Sequence, residues 1–171
     1  DISQNSDRVK LCFSEGQEIY CDIVIGADGV RSAVREKLYS AKPAIFTGFV
    51  AWRGLVERAL LEEISLDPHF ATYSSDDKMF VRYPVRQGRL VNYVAIARKD
   101  DFLCESWSAK AEVEEVAAEF GEWHQDVVKI IRATPKDSCM RWALFSREPL
   151  ADWVRGRVWL LGDAAHPMSP F

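Results

Sequence analysis

Residues 23–29 read IVIGADG and residues 159–165 read WLLGDAA. Each is a hydrophobic run that hands over to a glycine, an aspartate and further small residues. The runs have the texture of strands buried in a parallel sheet. Such strands deliver their last residues to the C-terminal edge of the sheet, where ligands bind in open α/β folds. Glycines there let another group approach the main chain, and an aspartate accepts hydrogen bonds from ribose-like hydroxyls. A carboxylate in this position can equally cap the next helix. Two such turns, bracketing a segment of different texture, point to one ligand edge supplied from both ends of the chain.

Working outward from the first turn, RVKLCF (8–13) alternates in the manner of a half-buried strand, and SEGQ (14–17) turns it into EIYCDIVIGA (18–27). This predicts a hairpin whose second strand enters a core. After the glycine turn, Ser32 is placed to cap a short helix over 32–40 with Val34 and Leu38 on one face, and Pro43 ends the unit. From Phe46 onward the texture is β-branched and aromatic. FVAWRGLV (49–56), MFVRYPV (79–85) and LVNYVAIA (90–97) predict an antiparallel sheet, the last two joined by a hairpin through QGR (87–89). VERALLEEI (56–64) predicts a small helix. Apolar residues at helical spacing predict two more helices, over 109–120 with Val113, Val116, Ala117 and Phe120, and over 125–134 with Val127, Val128 and Ile131. CMRWALFS (139–146) returns to a strand pattern. After a Gly156–Arg157 turn, RVWLLG (157–162) reads as a strand buried on both faces.

With 171 residues, 48% of them hydrophobic, the chain can bury a sizeable core. Its net charge of -4 has no basic patch to neutralise a phosphate backbone, which argues against a nucleic-acid partner. No apolar stretch approaches the roughly 20 residues of a membrane span, and the expected location is cytoplasmic. Cys12, Cys21, Cys104 and Cys139 are widely spaced, with no CxxC pair and no histidine spaced to complete a zinc site, so reduced thiols and no metal are expected.

GADGVRSAVR (26–35) resembles the DG motif of FAD-dependent aromatic-ring monooxygenases of the para-hydroxybenzoate hydroxylase type, and RVWLLGDAAHPMSPF (157–171) resembles their GD motif. FTGFVAWRGLV (46–56), FVRYPVRQGRLVNYVA (80–95), CMRWALFSREPL (139–150) and the Trp123–His124 pair are similar in order and spacing to the salicylate hydroxylase-like branch. The resemblance implies an α/β fold: a partial FAD-binding domain with parallel-sheet strands over 1–45 and 147–171, and an α+β substrate domain, an antiparallel sheet with helices, over 46–146. No GxGxxG turn occurs, so the chain resembles an internal fragment of such an enzyme, expected to be inactive alone. Its uncovered parallel strands would then favour aggregation or a homo-oligomer.

The resemblance also implies the chemistry: hydroxylation of a small phenolic or hydroxybenzoate-like aromatic, using FAD, NAD(P)H and molecular oxygen. Asp163 would bind the ribityl chain, and Asp28 would lie near the pyrophosphate with Arg35 as its neighbour. Gly26, Gly29, Gly162, Ala164 and Ala165 would let the cofactor lie against the main chain, and His166 and Pro167 would lie near the isoalloxazine ring. Tyr83 matches a tyrosine directed at substrate. Met79 stands where many relatives carry a histidine, which keeps open a non-phenolic substrate, such as an alkene for epoxidation. Arg82, facing away from Tyr83 by alternation, reads as a surface or interface ion pair, and Arg53 could approach the flavin. The tryptophans at 52, 107, 123, 142, 153 and 159 read as packing residues, and His69 and His124 as surface or satisfied ones. A non-catalytic module that binds an aromatic ligand or a protein through its sheet is the alternative of another class.

Overall fold

A computed structural model describes residues 1–39, 42–99 and 109–168. Cys104, Trp107 and the end of the second motif, 169–171, lie outside these residues. The chain divides into two compact units, Asp1–Thr47 with Phe145–Phe171, and Gly48–Leu144.

In the first unit, β1 (Ile2–Gln4), β2 (Val9–Cys12) and β3 (Glu18–Cys21) form an antiparallel sheet in the order β1-β2-β3. The single strand predicted over 18–27 is two strands: β4 (Val24–Gly26) follows β3 after a break at Asp22–Ile23 and joins a different sheet. The break has a physical anchor, since Arg157 donates to the Asp22 carbonyl at 3.1 Å and its own carbonyl accepts from Val24 N at 2.9 Å. Helix α1 (Ala33–Tyr39) follows the first acidic turn, and Ser32 Oγ accepts from Arg35 N at 2.9 Å as the predicted cap.

The second unit is built on one antiparallel sheet. Its long first strand, β5 (Ile45–Glu57), is followed by a short 3-10 turn (Arg58–Leu61) where the small helix was expected. Then come β6 (Ala71–Ser74), β7 (Lys78–Val85), β8 (Leu90–Arg98) and β9 (Ala109–Lys110). Helices α2 (Val113–Glu119) and α3 (Gln125–Arg132) precede β10 (Met140–Ser146), and the sheet order is β6-β7-β8-β5-β10-β9. The chain closes, in the first unit, with the pair β11 (Val154–Arg155) and β12 (Val158–Leu160), which turn at Gly156–Arg157.

Register divides the larger sheet into two faces of opposite character. Trp52 lies opposite Ala95, Gly54 opposite Tyr93, and Tyr93 opposite Arg82. These residues, with Phe80 and Val91, are buried. Phe80 stacks on Tyr93 at 5.2 Å between ring centroids, Phe120 meets Phe80 at 6.3 Å, and Trp123 meets Phe120 edge-on at 4.9 Å. The buried faces of α2 and α3 (Val116, Ala117, Val127, Ile130, Ile131) complete this core. Helical spacing identified most of that set but credited Val128, which is half-buried, and passed over Ile130, which is fully buried.

The parallel strands of the first unit are covered on one side. Leu160, Ala164 and Ala165 pack with Val34 and Tyr39 of α1 and with Leu150. Ile25 (58% exposed) and Trp159 (42%), which lie opposite each other in register, face solvent. The expected two-sided burial of RVWLLG is therefore one-sided, because a single helix packs on this sheet among the described residues. Cys12 and Cys21 are half-buried, Cys139 is buried, and all three are free thiols. No helix among the described residues is long and apolar enough to cross a membrane.

Candidate functional site

The two acidic turns leave the sheet at one edge. Strands β4 and β12 are parallel neighbours with Val24 opposite Val158, Ile25 opposite Trp159 and Gly26 opposite Leu160, and Leu161 N extends the ladder to Gly26 O at 3.0 Å. Both chains then turn away, so Asp28 and Asp163 follow adjacent strand ends.

The two aspartates differ in what they already hold. Asp28 Oδ2 accepts from Val34 N at 3.2 Å, so one oxygen is engaged with the start of α1. Asp163 is exposed in a 3-10 turn over Gly162–Ala164, and its carboxylate has no hydrogen-bond partner among the described residues. Gly162 has φ of +60°, where side chains are disfavoured, and a Cβ added there would meet nothing within 4 Å. The main chain beside Asp163 is open to an approaching group, as it is at Gly29 beside Asp28. Gly26 serves a different purpose: it is buried, and a Cβ there would come within 2.9 Å of the Val34 side chain. Its smallness admits the first turn of α1.

Arg35 is 1% exposed, and its guanidinium donates to three carbonyls, Ala164 O at 3.1 Å, Ala165 O at 2.9 Å and Glu148 O. Its hydrogen bonds go to the back of the second acidic loop, while the expected neighbour, the Asp28 carboxylate, receives none of them. Burial first, and the nearby Arg147 second, lower its pKa, but an arginine remains a cation at neutral pH. Arg147 is itself paired to Glu36 at 2.6 Å. His166 is exposed, its backbone N donates to Gly162 O at 3.0 Å, and its ring packs on Trp153 at 4.7 Å; half-buried Pro167 follows.

In the second unit, the sheet face opposite the helices carries Met79, Val81 and Tyr83 on β7. Tyr83 stacks on exposed Phe70 at 6.2 Å. Opposite Tyr83 in register is Asn92, fully buried, and opposite Val94 is Arg53, exposed on this same face. Arg53 Nε donates to Asn92 Oδ1 at 2.6 Å, and Asn92 Nδ2 is buried without a partner among the described residues. Asn92 escaped the sequence reading, although an asparagine inside the apolar run LVNYVAIA was a visible signal. Arg82 departs from expectation: it is on the covered face, 2% exposed, with Nη1 on the Pro68 carbonyl at 3.1 Å and no acidic partner among the described residues. His124 caps α3, its Nδ1 accepting from Asp126 N at 3.3 Å, and His69 is exposed.

A family profile described as "FAD binding domain" matches residues 4–171. The chain belongs to the FAD-binding domain family. It is 38% identical over 173 residues to 6-hydroxynicotinate 3-monooxygenase of Bordetella bronchiseptica, covering 99% of this chain and 44% of that one. It is 35% identical over 168 residues to a 3-amino-4-hydroxybenzoate 2-monooxygenase of Streptomyces platensis, covering 98% and 42%. Among solved structures, a salicylate hydroxylase substrate complex superposes with a TM-score of 0.82 at 30% identity, over 99% of this chain and 46% of that one. The chain thus spans less than half the length of these relatives, which are aromatic monooxygenases, and the α/β class is shared with them.

The residues of the first unit suit a flavin of this family on their own chemistry. An exposed carboxylate without a partner among the described residues, beside an open stretch of main chain, is an acceptor for the hydroxyls of a ribityl chain.

Proposed function

We propose that the FAD-binding domain chain supplies part of the flavin site and the ring-binding face of a monooxygenase that hydroxylates a small phenolic or hydroxybenzoate-like aromatic with NAD(P)H and O2. The observation that carries this reading is the shared edge of the two acidic turns, with the Asp163 carboxylate unengaged there. Asp163 accepts hydrogen bonds from the ribityl hydroxyls, and Asp28 keeps one oxygen for the polar part of the cofactor while the other caps α1. Gly29, Gly162, Ala164 and Ala165 keep side chains out of the cofactor's way, and Gly26 acts by admitting α1. Arg35 holds the Ala164–Ala165 backbone in place from behind. His166 and Pro167 border the flavin ring system. The bound flavin supplies the redox and oxygen chemistry, while the protein positions the substrate and excludes water.

The substrate's ring lies on the face that carries Tyr83 and Met79. A phenol is more reactive once deprotonated, and the Arg53 cation, oriented by Asn92, favours a phenolate or carboxylate on that face. The Tyr83 hydroxyl is a second hydrogen-bonding group, and Met79 adds an apolar wall. The relatives named for hydroxynicotinate and aminohydroxybenzoate act on rings that bear both a hydroxyl and a carboxylate, which suits an arginine in this position.

The test is titration of riboflavin and FAD followed by flavin fluorescence, in the wild type and in Asp163→Ala. Loss of a charge-assisted hydrogen bond is expected to weaken flavin binding by roughly tenfold or more. Unchanged flavin affinity in Asp163→Ala would refute the assignment.

A further inference from the structure

Arg82 is the most deeply buried cation of the second unit's sheet, and the proposed chemistry does not use it. A guanidinium taken out of water is costly unless compensated. Here Nη1 has one carbonyl partner, Pro68 O, while Nε is buried with no partner among the described residues. The side chain borders a cavity of about 640 Å³ at the end of the covered face, where the 65–69 loop, the 3-10 turn after β5 and the β7–β8 turn meet. Arg58 lines the same cavity, and its Nη1 donates to Leu61 O at 2.7 Å with no acidic partner among the described residues. His69 lies at the rim. The one carboxylate in the lining, Asp67, is exposed and makes no ion pair with either arginine among the described residues. Leu66, Pro84 and Val91 supply apolar wall.

We propose that this cavity is a second ligand site, on the sheet face opposite Tyr83, which binds the carboxylate of a small organic acid between Arg82 and Arg58 with its apolar body against Leu66 and Val91. Two guanidiniums without acidic partners among the described residues match a carboxylate's two oxygens, and the cavity has room for a molecule larger than a bare ion. The site is distinct from the Arg53 face, because Arg82 and Arg53 lie on opposite faces of the sheet: Arg82 is opposite Tyr93, and Arg53 is opposite Val94.

The test is titration of the full chain with benzoate, followed by amide chemical shifts, with neutral benzamide as the control. Saturable shifts are expected at Ser65, His69 and Gly88, and these persist in Arg53→Gln, which removes the cation of the opposite face. Arg58→Gln and the change to benzamide are each expected to weaken this binding by roughly tenfold or more. Because Arg82 is buried, Arg82→Gln is a risk to the fold, and neither the Arg58 variant nor the benzamide control depends on it. Shifts confined to the Arg53 and Tyr83 face, shifts lost in Arg53→Gln, or equal affinity for benzamide would overturn the proposal. Failure of the flavin assignment at Asp163 leaves this outcome untouched, since the two tests read different units.

Discussion

At the scale of single residues, what matters is which groups are already engaged. Asp28 and Asp163 look equivalent in IVIGADG and WLLGDAA, yet one is half-committed to capping a helix and the other has no partner among the described residues. Arg35 illustrates the same point from the other side. Its type and its place after the DG motif suggested a role beside Asp28, and the structure turns its guanidinium to the carbonyls of Ala164, Ala165 and Glu148. Arg35→Met is expected to leave the buried Ala164 and Ala165 carbonyls unsatisfied and to lower stability by about 3 kcal/mol, read as a lower midpoint in urea unfolding. An unchanged midpoint would mean that the loop is held by other contacts.

At the scale of elements, the register of β5, β7 and β8 converts alternation into a covered face and an open one. Gly54 lies opposite Tyr93, and a Cβ there would come within 2.3 Å of the tyrosine ring. Tyr93 has little room to yield, since its hydroxyl is bonded to Thr134 Oγ1 at 3.1 Å and its ring is stacked on Phe80. Gly54→Ala is therefore expected to cost about 1–3 kcal/mol by overpacking, measured by thermal or chemical unfolding. The junction of α2 with the sheet makes a second prediction. Burial alone would raise the Glu119 pKa, but Lys78, at 2.8 Å, and Lys99 outweigh it and hold the carboxyl below its ordinary value. A group with a lowered folded pKa contributes stability above its unfolded pKa of about 4.3, and that contribution is lost as pH falls below this value through the folded pKa. Glu119→Gln should accordingly lower stability at pH 7 and flatten the acid limb of the stability curve between about pH 4.3 and lower pH. A parallel curve for wild type and variant would dissociate Glu119 from acid unfolding.

At the scale of the whole molecule, the first unit exposes one face of its parallel strands, with Ile23, Ile25, Trp159 and Leu161 all toward solvent. Contiguous apolar surface of this kind drives association. Light scattering should report concentration-dependent association that Ile25→Lys reduces, and identical scattering from the two proteins would show that this face is not involved. Much of the architecture was legible in the chain. The two glycine–aspartate turns, the β5–β7–β8 texture, the β7–β8 hairpin, the Ser32 cap and helices α2 and α3 all follow from local patterns that act over a few residues. The short strands β1, β6 and β9 were not legible because runs of two to four residues are too short to carry an apolar pattern, and the break between β3 and β4 was not because its anchor, Arg157, lies far along the chain. By itself, then, the sequence determined the kinds of elements and the residue types at the ligand edge, which depend on nearest neighbours. Only the tertiary structure decided that β4 and β12 are adjacent, that Asp28 is engaged while Asp163 has no partner among the described residues, and that Arg53 and Arg82 occupy opposite faces, since each depends on strand pairing and burial between segments distant in the chain.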